Sequence, residues 1–434
     1  MTDVVDVLRD LIRFDTTNPP GNEGECIAYV HRLLTDAGVE SRILARDEAR
    51  PNLLARLPGA GEAPPLLLYG HVDVVTTAGQ RWTHPPFDAE LVDGVVWGRG
   101  ALDMKGGVAM LLDAFLRAAR GELRPRGDLL FAVLSDEENG GELGAGFLAE
   151  EHADAFAGVR HALGEFGGFS MEVGGRRVYP IQVAEKQICW LRAVVRGRGG
   201  HGAMPQRGGT TARLARLLRT LDRRRTPVHV TPVARQFVEA LADGLPAAKA
   251  ALLRGLLRPA LTDRVLALLP EEQRTGFAPI LRNTATPTII RGGDKINVVP
   301  AEIELELDGR LLPGFAPDDL IGELHALVGA DVELSVVRHE AGPARIDMSW
   351  FDGLAAILRE LDPEGTPVPL LMPGVTDARF FARLGIQTYG FVPLTLPADF
   401  KLLSMAHAAD ERVPADAVRF GAEAVGRALE RYAA

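Results

Sequence analysis

Short apolar segments alternate with longer helical segments from the start of the chain to about residue 180. Residues 66–69 and 129–134 have the uninterrupted apolar composition of buried strands, and a helical stretch over 104–120 separates them. This alternation predicts an α/β layer fold, in which helices cover a sheet. The same alternation of predicted strands and helices resumes near Met348 and ends in a helix predicted over 415–432.

A different order of elements separates these two parts. Strands are predicted over residues 188–195, 286–290, 302–307 and 332–338, and helices over 210–221 and 318–328. The resulting β-α-β-β-α-β order is typical of a small sandwich of helices on an antiparallel sheet. We therefore expect an α/β domain of residues 1–184 and 344–434, interrupted by an α+β domain of residues 185–343. Residues of about 225–282, rich in Ala, Leu and Arg, are interpreted as helices that cover one face.

The length and net charge of the chain are consistent with two globular domains. At 434 residues the chain is too long for one compact core. Its 58 acidic and 48 basic side chains give a formal charge of -10, which argues against a general affinity for nucleic acid or anionic membranes. The two cysteines, Cys26 and Cys189, support neither a disulfide framework nor a cysteine-rich metal site. A reducing compartment is therefore expected.

The N-terminal segment does not have the pattern of a targeting sequence. Residues 1–14 form a predicted amphipathic helix, capped near Thr2 and interrupted by several charges, without the apolar centre of a signal peptide. No apolar run elsewhere reaches membrane-spanning length. Cytoplasmic residence is the default expectation, with neither a membrane nor a nucleic acid as partner.

The first chemical motif is Gly70-His71-Val72-Asp73, which directly follows the first apolar strand. Side chains two apart on an extended segment point the same way, so Asp73 can accept a hydrogen bond from one ring nitrogen of His71. The other nitrogen would then be oriented to bind a metal. A purely structural His–Asp pair is the alternative.

A glycine-rich turn, residues 98–107, places Asp103 just before the predicted helix. A carboxylate there can bridge two divalent ions, because each oxygen can bind one of them. An aspartate that only caps the helix N-terminus is the alternative.

Three successive acids, Asp136, Glu137 and Glu138, end the second apolar strand. Such crowding of like charge is costly unless cations or protons neutralise it, and open α/β sheets bind their ligands beyond these strand ends. Metal binding is therefore favoured over a solvated acidic loop. Glu165 and His407 would complete a set of two imidazoles and three carboxylates, enough for two ions that share Asp103. Each could also be an ordinary loop or surface residue.

The order of these motifs resembles the M20 family of metallopeptidases, which includes carboxypeptidase G2-like enzymes, succinyl-diaminopimelate desuccinylases, acetylornithine deacetylases and aminoacylases. The resemblance implies an α/β catalytic domain of the zinc-exopeptidase type with an inserted lid and dimerisation domain. It covers nearly the whole chain, in residues 70–73, 82–87, 98–107, 136–141, 199–201, 297–300, 308–310, 374–378 and the segment that begins at His407. One departure is the stretch of about 225–282, which is longer than in compact family members.

The resemblance also implies roles for single residues. His71, Asp103 and Glu165 would hold one metal, and Asp103, Glu138 and His407 the other. Glu137 would then be the general base, and Asp73 would orient His71. Two zinc ions are the expected metals, with cobalt or manganese as possible substitutes.

The inserted domain carries further implied roles. His201 resembles the histidine that stabilises the tetrahedral oxyanion and can reach the neighbouring subunit's active site, so a homodimer through the lid domain is implied. A simple turn histidine is the alternative. Asn297 and Arg310 resemble contacts of a substrate carboxylate, to which Gly374–Thr376 would present backbone donors.

These features predict hydrolysis of the amide bond in a small N-acyl amino acid or dipeptide-like substrate with a free carboxylate. Glu165 resembles the ligand of carboxypeptidase and deacylase members, whereas peptidases that select a free amino terminus more often carry Asp there. An aminopeptidase or dipeptidase is the rival within catalysis. A non-catalytic metal-binding scaffold is the rival from another class, and the presence of Glu137 beside every apparent ligand argues against it.

Overall fold

The computed structural model describes residues 3–204, 207–343 and 345–433, which form two compact units. The first unit takes in the described residues up to Ala184, then Ile346–Leu370 and the chain from Thr376 onward. The second unit consists of Glu185–Arg345 and Leu371–Val375. The short segment Leu371–Val375 thus groups with the second unit, although the sequence division left it with the catalytic domain.

The strands of the described residues span both units. In chain order they are β1 Ser41–Leu44, β2 Asn52–Leu57, β3 Leu66–His71, β4 Glu90–Val92, β5 Val95–Trp97, β6 Leu129–Leu134, β7 His161–Gly164, β8 Met171–Val173, β9 Arg176–Glu185, β10 Gln187–Arg196, β11 Gly200–His201, β12 Thr284–Arg291, β13 Val298–Val299, β14 Glu302–Leu311, β15 Glu333–His339, β16 Thr366–Met372, β17 Gln387–Gly390 and β18 Arg412–Pro414.

The α-helices precede, separate and follow these strands. In chain order they are α1 Val4–Ile12, α2 Gly24–Asp36, α3 Lys105–Ala119, α4 Ala145–Glu151, α5 Thr210–Arg223, α6 Pro232–Ala242, α7 Ala247–Arg254, α8 Pro259–Leu268, α9 Glu271–Ile280, α10 Pro317–Val328, α11 Phe351–Leu361, α12 Ala378–Ala382, α13 Leu402–Met405 and α14 Ala415–Arg431.

The first unit is built on a nine-stranded sheet with the order β1-β2-β6-β3-β7-β17-β9-β16, and β8 pairs with β9. The four central strands β6, β3, β7 and β17 are parallel to one another, whereas the pairs β1–β2, β2–β6 and β17–β9 are antiparallel. Every residue of β3, β6 and β7 is buried, as expected for strands covered on both faces. α3 is buried along most of its length and packs against α1, α14 and β3.

The second unit is built on an antiparallel sheet with the order β12-β14-β10-β15. Ile303, Leu305 and Leu307 of β14 are buried and alternate with more exposed acidic residues, which is the period of a sheet with one wet face. α5 and α10 pack on this sheet. The predicted β-α-β-β-α-β order is therefore present.

The segment of about 225–282 is helical, as predicted, and contains α6 to α9. The buried guanidinium of Arg282 ties its two ends together, because Nη1 donates to the carbonyl of Thr226 at 2.7 Å.

The predicted α/β fold class is confirmed by this mixed architecture with its large central sheet. The N-terminal helix begins at Val4, where the Asp3 carboxylate accepts the Val5 N–H at 3.1 Å. The predicted cap, Thr2, lies outside the described residues. Among the described helices, none combines the length and the apolar character that a membrane crossing requires.

Candidate metal centre

Three neighbouring parallel strands end at one edge of the large sheet. β3 ends at His71, β6 is followed by Asp136–Glu138, and β7 is followed by Glu165. Because parallel strands present their carboxyl ends at the same edge, the sequence motifs that follow them converge there.

Asp103 lies between two imidazoles from distant parts of the chain. Its Oδ1 is 3.3 Å from His71 Nε2, and its Oδ2 is 3.1 Å from His407 Nε2. One carboxylate therefore faces both histidines, one oxygen to each. This is the arrangement that a carboxylate shared by two ions requires.

One further carboxylate accompanies each imidazole. Glu165 Oε2 lies 3.5 Å from His71 Nε2, and Glu138 Oε2 lies 3.3 Å from His407 Nε2. Glu138 Oε1 is buried and has no hydrogen-bond partner within the described part of the chain. An orphaned buried oxygen beside two other donors fits a cation at this place.

The donors are close enough to form more than one set of three. Ligand atoms of His71, Asp103 and Glu138 lie within 4.8 Å of one another, and so do those of His71, Glu137 and Glu165. Proximity alone thus does not separate Glu137 from the ligands. The carboxylate of Glu137 differs in another respect, since no imidazole lies within ion-pair distance of it among the described residues.

Asp73 contacts His71 differently from the sequence prediction. His71 Nδ1 lies 3.0 Å from the main-chain carbonyl oxygen of Asp73, whereas the nearest carboxylate oxygen is 3.5 Å away. The carboxylate instead accepts the N–H groups of Glu137 and Glu138, both at 3.1 Å, and the side-chain amide of Asn18 at 2.8 Å. Asp73 therefore fixes the acidic turn as well as the imidazole.

The surrounding carboxylates raise the pKa of both imidazoles. Burial lowers the pKa of His71, but hydrogen bonds with Asp103, Asp73 and Glu165 outweigh it and raise the pKa well above its usual value. Hydrogen bonds with Asp103 and Glu138 raise the pKa of His407 to about 10. The same carboxylates that favour a proton on each ring would also attract divalent cations.

Glu137 has the opposite environment. Burial, followed by repulsion from Glu165, raises the pKa of its carboxyl group well above the ordinary value. A carboxylate with a raised pKa is a better proton acceptor, which suits general base chemistry near neutral pH.

Two acids beside this cluster were missed as site residues in the sequence. Glu411 is fully buried, and its Oε1 accepts the N–H groups of Leu102 and Asp103. Asp377 is 1% exposed, its N–H lies 3.4 Å from Glu165 Oε1, and its carboxylate oxygens have no hydrogen-bond partner among the described residues. Both acids lie inside motifs identified in the sequence, and this position is the signal by which they could have been recognised as site residues.

The second unit holds His201 and Asn297 in one small ribbon. β11 pairs with β13, and Gly202 donates to the carbonyl of Asn297 at 2.8 Å. His201 is exposed, and its Nδ1 accepts the N–H of Ala203 at 3.1 Å. The structure thus brings these two predicted residues together.

Arg310 and Gly374 also belong to the second unit, whereas Thr376 belongs to the first. Arg310 Nε and Nη2 donate to the two carboxylate oxygens of Asp308, at 2.7 and 3.3 Å. Two of the guanidinium donors of Arg310, the residue expected to contact a substrate carboxylate, are therefore engaged within the chain, and Nη1 is the donor left without a partner among the described residues. Thr376 is buried, and its hydroxyl accepts the N–H of Ala378 at 3.1 Å.

Comparison with known sequences identifies related enzymes. The sequence profile described as Peptidase family M20/M25/M40 matches residues 67–431. The chain is 28% identical to the succinyl-diaminopimelate desuccinylase of Paracoccus denitrificans, covering 97% of this chain and 96% of that enzyme. It is 27% identical to the probable carboxypeptidase S-like 2 of Dictyostelium discoideum, covering 80% of this chain and 68% of that protein.

Comparison with solved structures gives the same fold. The M20 family metallo-carboxypeptidase Sso-CP2 from Sulfolobus solfataricus superposes with a TM-score of 0.68 at 17% sequence identity, and the match covers 99% of each chain. The catalytic and inserted parts expected from the motifs thus have counterparts in a metallopeptidase of known structure.

Proposed function

Because the chain belongs to peptidase family M20/M25/M40, and is thus a hydrolytic metalloenzyme, we propose that it cleaves the amide bond of small N-acyl amino acids or dipeptide-like substrates with a free carboxylate. One observation carries this proposal: the Asp103 carboxylate faces His71 and His407, one oxygen to each, and the carboxylate of Glu137 lies within 4.8 Å of a ring nitrogen of His71. Such a site has the donors for two ions and a base next to them.

These donors fit two divalent ions, and zinc is the proposed metal. Imidazole and carboxylate are zinc ligands, and carboxylate-rich sites also accept cobalt or manganese. We assign His71, Asp103 and Glu165 to one ion, and Asp103, Glu138 and His407 to the other. When bound, the two ions supply Lewis-acid polarisation of the scissile carbonyl and a lowered pKa for the attacking water.

Glu137 is assigned the proton transfers. Its carboxylate would take the proton of the attacking water and later donate it to the nitrogen of the leaving amine. Support comes from the raised pKa of this group and from its place next to the ligand Glu138. A positioned base of this kind typically contributes about 10² to 10⁴ in rate.

His201 is assigned the oxyanion of the tetrahedral intermediate. Since its Nδ1 accepts a backbone N–H, the neutral ring carries its proton on Nε2, where it can be donated. We also propose a homodimer through the second unit, in which His201 serves the active site of the neighbouring subunit.

The substrate carboxylate is assigned to the second unit and the adjoining loop. Arg310 Nη1, the side chain of Asn297 and backbone N–H groups of Gly374–Thr376 are the proposed donors. Arg310 would use this single donor rather than a bidentate fork, because Asp308 already holds Nε and Nη2.

The two relatives named above support this substrate class. One is named a carboxypeptidase and the other a desuccinylase, and neither name describes selection of a free amino terminus. Glu165, rather than Asp, at the ligand position points the same way.

A substrate panel tests the proposed function. The metal-loaded protein is assayed on substrates with a blocked amino group and a free carboxylate: N-acetyl amino acids, N-succinyl amino acids and N-blocked dipeptides. Dipeptides with a free amino group and dipeptide amides are assayed in parallel. We expect turnover of blocked substrates that retain a free carboxylate, and no turnover after treatment with a chelator. Turnover of unblocked substrates alone would instead establish an aminopeptidase or dipeptidase.

A further inference from the structure

The backbone of Asp103 is held by a buried carboxylate from the C-terminal part of the chain. Glu411 Oε1 accepts the N–H of Leu102 at 2.7 Å and that of Asp103 at 3.1 Å. Glu411 is separated from Asp103 by 308 residues and is fully buried. A buried carboxylate with these acceptor roles fixes the turn from which Asp103 projects.

Arg99 connects this carboxylate to a second loop. Its Nη1 lies 2.5 Å from Glu411 Oε2, and its Nη2 donates to Gln80 Oε1 at 3.0 Å. Gln80 Nε2 in turn donates to the carbonyl oxygen of His407 at 2.9 Å. The contacts therefore reach from the backbone of one proposed ligand to the backbone of the other.

The side chains of the two ligands close the ring. Asp103 Oδ2 lies 3.1 Å from His407 Nε2, so the path through Glu411, Arg99 and Gln80 returns to its start. Within this ring, Glu411 contacts the backbone of Asp103 and Gln80 contacts the backbone of His407.

The His407 loop needs such support because of its backbone. His407 and Asp410 have φ values of 67° and 60°, in the left-handed region that residues other than glycine seldom adopt. Asp410 is held by the N–H and hydroxyl of Thr83, at 2.7 and 2.8 Å. Conformations of this kind persist only where surrounding contacts determine them.

We propose that Glu411, Arg99 and Gln80 are positioning residues that set the separation of Asp103 and His407 for binding of two ions. This inference rests on the proposed function, since it concerns the affinity of the same two ions. Glu411 acts on the shared ligand and therefore on both ions. Gln80 contacts the His407 backbone directly and reaches Asp103 only through Arg99 and Glu411, so it acts chiefly on one ion.

The Gln80→Met variant tests the asymmetry. Gln80 is only partly buried, and methionine has similar length without the amide donor to His407 or the oxygen that accepts from Arg99 and Trp82, so folding should be retained. Outer partners of metal ligands typically contribute about 10- to 100-fold in affinity, and we expect a loss in that range for the ion bound by His407 and a smaller loss for the other. Competition with a chromophoric chelator gives both dissociation constants, and the visible absorption of Co²⁺ gives the change in coordination.

The Glu411→Gln variant tests the shared ligand. It keeps an oxygen for the two N–H groups but removes the charge that pairs with Arg99, and we expect both dissociation constants to rise. Asp362→Asn is the matched control, because Asp362 is also a buried carboxylate of the first unit but bonds to Arg177 and Tyr179. It should lower stability without changing metal affinity.

The outcomes separate the two proposals. If the wild type binds two ions and Gln80→Met binds both with unchanged constants and an unchanged Co²⁺ spectrum, the positioning role is wrong. An equal loss for both ions in Gln80→Met would likewise overturn it, even if Glu411→Gln failed to fold. If the wild type itself does not bind two ions, the proposed function fails instead.

Discussion

His407 and Asp103 are 304 residues apart in the chain, yet His407 Nε2 lies 3.1 Å from Asp103 Oδ2. The contact joins the loop before the last helix to the turn that precedes α3. Both residues project from irregular backbone rather than from the sheet, whereas His71 is the last residue of a strand and Glu138 and Glu165 follow strand ends. Some of the proposed ligands are therefore positioned by the edge of the sheet, and the others lie on loops whose conformation depends on contacts with other side chains.

Neighbouring carboxylates should respond differently to the same substitution. Glu137→Gln should retain both ions but lower kcat by about 10² to 10⁴, because a proton acceptor is lost. Glu138→Gln should weaken metal binding first, because a ligand charge is removed. Metal content by atomic emission and turnover at saturating metal separate these effects. Near-normal turnover of Glu137→Gln would refute the general-base assignment.

His201→Ala should reduce kcat far more than metal content or the unfolding midpoint, since its proposed hydrogen bond forms to the oxyanion of the intermediate. His325→Ala is the control, because His325 also belongs to the second unit but contacts the carbonyl of Val332. It should leave kcat unchanged.

Mixing subunits tests whether His201 acts across a dimer. His201→Ala and Glu137→Gln proteins, each expected to have little activity alone, are mixed under conditions that allow subunits to exchange, or are unfolded and refolded together. The activity of the mixture is then measured. If His201 serves the neighbouring site, the mixed dimer contains one site with both native residues, and activity returns. No recovery in verified mixed dimers would place His201 in the active site of its own subunit.

Much of the fold was readable because burial leaves a pattern in local sequence. β6 covers Leu129–Leu134, as predicted, since an apolar run buried on both faces has clear ends. The convergence of His71, Glu138 and Glu165 also follows from local sequence, because each motif follows a parallel strand of one sheet.

Contacts between distant residues could not be read in this way. Glu411 follows His407 by four positions, but its role depends on Arg99 and on the turn at Asp103, more than 300 residues earlier. The carboxylate of Asp73 was assigned to His71, whereas Asn18 and two backbone N–H groups bind it more closely. The pairing of Arg310 with Asp308 was in reach, since side chains two apart on a strand share a face.

Lys186 should make the stability of the second unit depend on pH. Burial, followed by repulsion from Arg310, lowers its pKa to about 7. Its ammonium group donates to the carbonyl of Arg282 at 2.9 Å and to the hydroxyl of Thr284 at 2.8 Å. Between about pH 7 and the unfolded value of 10.5, the unfolded chain binds a proton that the folded chain has released, so stability rises with pH.

The Lys186→Met variant isolates this contribution. Relative to the variant, the wild type should gain about 1 kcal/mol per pH unit above pH 7, measured by urea unfolding at several pH values. The variant should also be less stable overall, because it leaves buried acceptors without a donor. Lys249→Met, at an exposed lysine of the same unit, should show no such difference in slope. Equal slopes for the wild type and Lys186→Met would contradict the lowered pKa.

Metal affinity should increase with pH, because the metal-free site holds protons where ions bind. Asp103 and Glu138 raise the pKa of His407 to about 10, so below that pH an ion must displace its proton. Each displaced proton makes the dissociation constant fall by about tenfold per pH unit. Chelator competition between pH 6.5 and 8.5 measures this slope, and calorimetry in buffers of different ionisation enthalpy counts the released protons. His407→Gln should have a shallower slope, and an affinity independent of pH in the wild type would show that the histidine is not a protonated ligand.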